Sequence, residues 1–403
     1  MDIHQYDQKL EATIRGIDKA NISDKNKAIL HEMTDSLVLE GLSKPRIMKY
    51  IEVVRVTAKK LNKDLDKVTE KDLKKHVSEL QQSSYSMWTK HVHKVIIRRF
   101  FKWLLKTPGK DYPDLVSWIS IRKSKSEMKL PSDTDLLNEE DVQKLIKVAD
   151  QPRDRAFVSV LWESGARVGE IGNMKIGNVV FDKHGTVLYI KGKTGARKIR
   201  LISSTPLLSA WISSHPARDN KDFPLWINIG TKGKMKMIRY CNIRKILNIL
   251  FEKAGIKKRC NPHLFRHSRA TFMANHLTEF QMNQYFGWIQ GSDMPATYVH
   301  MSGREVDDAI LTMNGMKPQI KGAEQKLKPI ICPRCDTINT ADAQHCNKCG
   351  GILDLKYAME LEETTKKEKE MRSESDEVMN RLFKDKEVQE FLAGKLKSLG
   401  LSL

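Results

Sequence analysis

The stretch Pro262-His263-Leu264-Phe265-Arg266-His267-Ser268-Arg269-Ala270-Thr271 sets a histidine and an arginine three residues apart. On a helix that spacing puts His263 and Arg266 on one face. An imidazole exchanges protons near neutral pH, and a guanidinium clamps an anion through paired N–H donors. A lone histidine is more often structural, so it is the pairing with arginine that points to a site.

Three more patterns flank this one. Upstream is Ser164-Gly165-Ala166-Arg167-Val168-Gly169-Glu170-Ile171, in which Arg167 and Glu170 share a face at a helix start. Arg167 there is suited to a phosphate, although an ordinary surface ion pair reads the same way in isolation. Next is Tyr189-Ile190-Lys191-Gly192-Lys193-Thr194-Gly195-Ala196-Arg197, a hairpin with Lys193 at its tip and Lys191 as a competitor on the adjoining strand. Downstream come Tyr285-Phe286-Gly287-Trp288 and then Thr297-Tyr298-Val299-His300. A polar stretch rather than core periodicity follows Tyr298, whereas Tyr285 has apolar neighbours and reads as a core residue. A tyrosine hydroxyl is a poor nucleophile unless its surroundings activate it.

Taken in order, Arg167, Lys193, His263, Arg266, Trp288 and Tyr298 resemble the active-site set of the tyrosine recombinases, also called phage integrases. GARVGEIGNM resembles the family's arginine box, HLFRHSRAT its His-x-x-Arg box and ATYVH its tyrosine box. The likeness runs from about Leu137 to Asp308. Trp288 stands where many members have histidine, and Gly169 and Phe265 also depart from common choices. The interval from Trp288 to Tyr298 is about one residue longer than usual.

The resemblance implies a mainly α fold with a small antiparallel β-sheet, arranged as a two-lobed clamp. A helical, SAM-like core-binding domain (20–108) would be joined by a linker (109–136) to an α+β catalytic domain (137–315). It also implies cleavage and rejoining of DNA without ATP, nucleotide cofactor or catalytic metal. Tyr298 would attack a phosphodiester and form a 3′-phosphotyrosyl link. Arg167 and Arg266 would hold the non-bridging oxygens, Lys193 would protonate the leaving oxygen, and His263 would take or relay the tyrosine proton. Trp288 would donate its indole N–H, and Glu170 would orient its neighbours. Partners would be double-stranded DNA and three further copies, forming a homo-tetramer on synapsed sites. The rival readings are a type IB topoisomerase, which rejoins the same strand, and a non-catalytic zinc-ribbon regulator.

The rest of the chain is consistent with these expectations. Among 403 residues, 70 Lys and Arg face 50 Asp and Glu, a formal charge of +20 that favours polyanionic partners. Apolar residues recur at helical spacing through Ala28–Leu37, Ile47–Ala58, Leu73–Leu80 and Trp88–Leu104. Thr69 and Asp72, and again Asn138 and Asp141, mark helix starts. Candidate DNA contacts are Lys94, Arg98 and Arg99 on the last of these helices, with Arg122, Lys123 and Lys125 in the basic linker. No apolar run is long enough to span a bilayer, and the polar opening MDIHQYDQKL does not read as a signal peptide, so a cytoplasmic, nucleoid-associated protein is expected.

Four of the six cysteines form Cys332-x-x-Cys335 and Cys346-x-x-Cys349. Two such knuckles read as a zinc ribbon (328–354) whose four thiolates leave no open position, which makes the metal structural. A mixed-charge tail (355–403) follows, with helical spacing at Val378, Leu382, Val388, Leu392 and Leu396. Ribbon and tail are the candidate docking points for an accessory protein.

Overall fold

The computed structural model describes residues 2–122, 133–192, 195–230, 233–301, 310–311, 313–316 and 327–398. It divides into two compact units: Met1–Leu136 with Val168–Met174 and Pro224–Leu247, and Leu137–Arg167 with Lys175–Phe223 and Asn248–Leu403. Among the described residues no helix is long and apolar enough to cross a membrane.

The first unit is built on α1 (Tyr6–Asp18), α2 (Asp24–Leu39), α3 (Lys44–Leu61), α4 (Glu70–Gln82), α5 (Met87–Leu104) and α6 (Asp114–Ser117). Its helices start where the sequence supplies caps. The Ser23 hydroxyl accepts from Asn26 N–H, and Thr69 and Asp72 form the reciprocal box at the head of α4. The apolar stripes meet in one core that includes Leu30, Ile51, Leu73, Phe100 and Phe101. Full burial of each such side chain contributes about 1.5–3 kcal/mol.

This unit is larger than the sequence reading made it. Helix α1 precedes residue 20 and packs on α3, with Ile17 fully buried. The expected linker is also shorter, because Val116 and Ile119 are buried in the same core. Helix α6 is one turn long, too short to display a period, so Pro113 and the lack of periodicity read as a linker. The N-terminal residues are likewise tied in. Ile3 N–H donates to Asn173 Oδ1 at 2.8 Å, and Ile3 carbonyl accepts from Tyr240 N–H at 3.0 Å.

The second unit begins with α7 (Glu139–Val148), headed by a capping box of Asn138 and Asp141, and α8 (Pro152–Ser164), which opens on proline and stops at Gly165. Between them and the first unit's α9 (Val168–Gly172) lies the Arg167 segment. An antiparallel meander follows: β1 (Val179–Asp182), β2 (Gly185–Gly192) and β3 (Gly195–Leu201), with Tyr189 opposite Lys198 and Gly192 opposite Gly195. Side chains alternate across it. Leu188, Ile190, Ile199 and Leu201 are buried, while Tyr189, Lys191, Lys198 and Arg200 are exposed.

Helices α10 (Thr205–Ser213), α11 (Tyr240–Lys253), α12 (Pro262–Ala274), α13 (Glu279–Phe286) and α14 (Met294–Met301) complete the helical part. Helix α8 is the centre of the second unit, contacting α7, α10, α12 and β3. The cysteine-rich segment adds β4 (Ile330–Ile331) paired with β5 (Ile338–Asn339), and β5 touches α10. Two further helices, Leu355–Lys384 and Lys386–Ser398, carry the tail.

Candidate active site

Helix α12 presents the central residues. Asn261 caps it by accepting from His263 N–H at 3.0 Å, and Pro262 occupies the first turn. His263 is exposed in that turn, while Arg266 one turn on is buried at 6 % exposure. The Arg266 guanidinium is anchored on backbone carbonyls. Nη1 donates to Gly165 carbonyl at 3.1 Å, and Nη2 donates to Phe286 carbonyl at 2.8 Å. One side chain thus ties the segment leading into Arg167 to the end of α13.

Both anchors depend on glycine at a helix end. Gly165 closes α8 with φ +53, and a Cβ there would lie 2.6 Å from Phe286 Cε1. Gly287 closes α13 with φ +62 and turns the chain into Trp288, whose N–H returns to Asn283 carbonyl at 2.8 Å. Only glycine adopts this left-handed conformation without penalty.

Trp288 stacks on Tyr298 with ring centroids 5.4 Å apart and planes 3° apart, and also on Phe286 at 4.9 Å. The Arg266 guanidinium lies 5.5 Å from the Trp288 ring. Tyr298, on α14, is only 2 % exposed and belongs to the small core of Ala270, Ala274, Met282 and Phe286. Its hydroxyl is 2.6 Å from His267 Nδ1. Burial raises the Tyr298 pKa above the ordinary phenol value, and the Arg266 charge opposes that shift. Burial lowers the His267 pKa, reinforced by the charges of His263 and Arg266. Both shifts favour the neutral forms, a protonated phenol beside an uncharged imidazole, and in the tautomer protonated at Nε2 the hydroxyl donates to His267 Nδ1.

The resemblance gives His263 the part of taking or relaying the tyrosine proton; the imidazole within hydrogen-bonding distance of the phenol is that of His267. Nothing in the spacing marks that contact, because α13 and a loop intervene between the two residues. Glu163 was also overlooked. It is buried and accepts from Ile202, Ser203 and Ser204 N–H at 2.7, 3.1 and 2.7 Å and from Ser204 Oγ at 2.6 Å. Four donors compensate the desolvated charge and fix the end of α8 to the turn after β3. Its backbone carbonyl accepts from Arg269 Nε at 3.0 Å and from Tyr285 hydroxyl at 2.7 Å. Burial pushes the Tyr285 pKa up to about 12. That phenol is committed to holding α13 on α8.

The other sequence candidates fall as follows. Arg167 is half-buried two residues beyond the Gly165 carbonyl that Arg266 holds. Glu170 is buried on α9, in the first unit. Lys193 lies outside the described residues, as do Lys123 and Lys125, and Lys191 is exposed on β2. Lys94 is buried, Arg98 stacks 4.0 Å over the Tyr112 ring, and Arg99 pairs with Glu40 while facing Tyr50. Arg122 is exposed.

The four cysteines converge. Their sulfurs all lie within 4.8 Å of one another, with Cys332–Cys349 and Cys335–Cys346 each at 3.6 Å. Four sulfurs at about 2.3 Å from a tetrahedral metal are about 3.8 Å apart, so the donor set fits a metal ion.

A profile of the phage integrase family matches residues 135–304. The chain is 30% identical over 251 residues to tyrosine recombinase XerA of Pyrococcus horikoshii, covering 62% of this chain and 80% of that one. To the XerA of Pyrococcus furiosus it is 27% identical over 300 residues, covering 73% and 96%. Among solved structures, XerH site-specific recombinase bound to palindromic difH substrate shares the fold, with a TM-score of 0.54 at 18% identity over 76% of this chain and 95% of that one. A lambda integrase dimer bound to a core site gives a TM-score of 0.53 at 15% identity, covering 69% and 78%. The recombinase motifs read from the sequence, the fold they occupy and this relatedness agree: the chain belongs to the phage integrase family of tyrosine recombinases, enzymes that cut and rejoin DNA at specific sites.

Proposed function

We propose that this recombinase exchanges strands between two bound DNA sites through attack of Tyr298 on a backbone phosphorus. The carrying observation is the tie between Arg266, the Gly165 carbonyl before Arg167, and the Trp288–Tyr298 stack. In the reaction the Tyr298 oxygen bonds to phosphorus and the bond to the 5′-oxygen breaks. That leaves a 3′-phosphotyrosyl ester and a free 5′-hydroxyl. The hydroxyl of the other site then reverses the step, one ester replacing another, so no ATP is consumed.

Each residue has a role in this scheme. Arg167 and Arg266 hold the non-bridging oxygens as charge builds on the pentacoordinate phosphorus. Lys193 protonates the leaving oxygen, His263 takes or relays the tyrosine proton from the exposed end of α12, and Trp288 packs the phenol and offers its indole N–H. Glu170 supports the arginine segment. The DNA is held largely through phosphate contacts from a chain of net charge +20. Four copies act together, since two duplexes with four exchanged strands need four nucleophiles. A structural neighbour, a lambda integrase tetramer bound to a Holliday junction, supports that stoichiometry. Cys332, Cys335, Cys346 and Cys349 hold a structural Zn²⁺. The ribbon and the tail helices offer surfaces for an accessory protein.

The test uses the recognition site recovered from a randomised duplex pool, with a nick placed beside the cleavage position so that the released fragment diffuses away. Wild type is expected to accumulate a covalent protein–DNA adduct and Tyr298→Phe none. An adduct with Tyr298→Phe rules out the assignment.

A further inference from the structure

We propose that His267 is a catalytic residue, the acceptor of the Tyr298 phenol proton during cleavage. This rests on Tyr298 being the nucleophile. Its direct support is the 2.6 Å contact between His267 Nδ1 and the Tyr298 hydroxyl. His263 is exposed in the first turn of α12, and the same helix carries His267 one turn deeper, facing α14. Stacking of Trp288 on the phenol restricts its ring and so keeps the hydroxyl directed at His267.

The proton balance closes within the site. The phenol O–H bond breaks and an N–H bond forms at His267 Nδ1, giving an imidazolium. The freed oxygen pair bonds to phosphorus, and the departing 5′-oxygen takes a proton from the acid assigned to Lys193. In the reverse step each proton returns. A neutral imidazole with Nδ1 unprotonated is required at the outset, and burial with the neighbouring His263 and Arg266 charges favours the neutral form. The phosphodiester brings a negative charge that favours the imidazolium once the proton has moved.

Among the described residues, His263 and Arg266 on α12 act on His267 and Tyr298 on α14 touches it, while the helices α13 and α8 packed on α12 carry Tyr285 and Glu163. Tyr285 donates to Glu163 carbonyl, and the Glu163 carboxylate is held by residues 202–204. Neither is directed at the phenol.

The experiment measures adduct formation on the nicked recognition site by full-length wild type, His267→Ala, His267→Gln, His263→Ala and Tyr298→Phe across pH 5–9. Thermal melting and site binding confirm that each variant folds. Loss of a general base is expected to slow adduct formation about 10²–10⁴-fold. In wild type and His263→Ala the rate should fall on the acid side as His267 takes up a proton. That limb should vanish in His267→Gln. Added imidazole should partly restore His267→Ala. A substrate with sulfur in place of the leaving 5′-oxygen should restore Lys193→Ala but not His267→Ala, because a thiolate leaves without a proton.

Wild-type rates in both His267 variants would overturn the proposal. So would a loss that imidazole does not relieve with the acid limb intact, since His267 would then only pack the site. Either result leaves Tyr298 as the nucleophile. Adduct formation by Tyr298→Phe would instead overturn that underlying assignment.

Discussion

Replacing Gly165 by alanine probes the joint on which the site is built. Gly165 has φ +53, and an alanine held in the left-handed region costs about 1–2 kcal/mol. The added Cβ would also meet Phe286 Cε1 at 2.6 Å and Arg269 Cγ and Cβ at 3.1 and 3.2 Å. Phe286 is fully buried and stacked on Trp288, so its ring has no free direction in which to move. Overpacking of this kind costs about 1–3 kcal/mol, giving about 2–5 kcal/mol in total. For a unit of this size that lowers the melting temperature on the order of 10 °C. Gly255→Ala is the control, because Gly255 has φ +66 and an added Cβ there would meet nothing within 4 Å, so it isolates the backbone penalty. Both are read by urea titration and thermal melting, and adduct formation is measured below the melting range. Gly165→Ala should melt well below Gly255→Ala and cleave slowly even while folded, because displaced Phe286 carries Trp288 away from Tyr298. Equal melting and cleavage in the two variants would refute the reasoning.

Three further outcomes are expected. Chelation with EDTA or 4-(2-pyridylazo)resorcinol should release one zinc per chain, and Cys346→Ser should bind none; metal analysis of purified protein showing no zinc contradicts the ribbon assignment. The pKa values of His76 and His93 are lowered chiefly by burial, so below about pH 6.5 the unfolded chain gains protons that the folded chain does not. Stability of the helical unit should therefore fall as pH drops from 6.5 towards their depressed folded values, and His76→Gln should flatten the urea midpoint in that window. DNA affinity should fall linearly on a log–log plot against salt, with a slope near −0.9 for each phosphate contact; a flat plot contradicts phosphate-led binding.

Features written in local chemistry were legible in the chain itself. The Thr69–Asp72 and Asn138–Asp141 boxes form as read, and α8 stops at Gly165 as its sequence predicts. The three strands fall where turn residues bracket alternating apolar positions. The paired cysteines needed only their spacing. Tertiary relationships were not legible in the same way. Helix α1 joins the core through Ile17, but its apolar residues are too sparse in the sequence to announce a buried face. Glu163 looks like any glutamate near a helix end until residues 202–204 fold over it. His267 was visible in the opening motif, yet its partner Tyr298 is 31 residues away, and that separation has no periodicity. Arg98 and Arg99 counted as charge on a helix face, whereas Tyr112, Tyr50 and Glu40 engage them.

The most direct measurement is the position of the covalent bond. Wild-type protein trapped on the nicked recognition site is digested with protease and nuclease, and the nucleotide-bearing peptide is sequenced by tandem mass spectrometry. The peptide is expected to contain Tyr298 carrying a 3′-linked nucleotide. A nucleotide on Tyr285 or on any other side chain, or a 5′ linkage, would contradict the account.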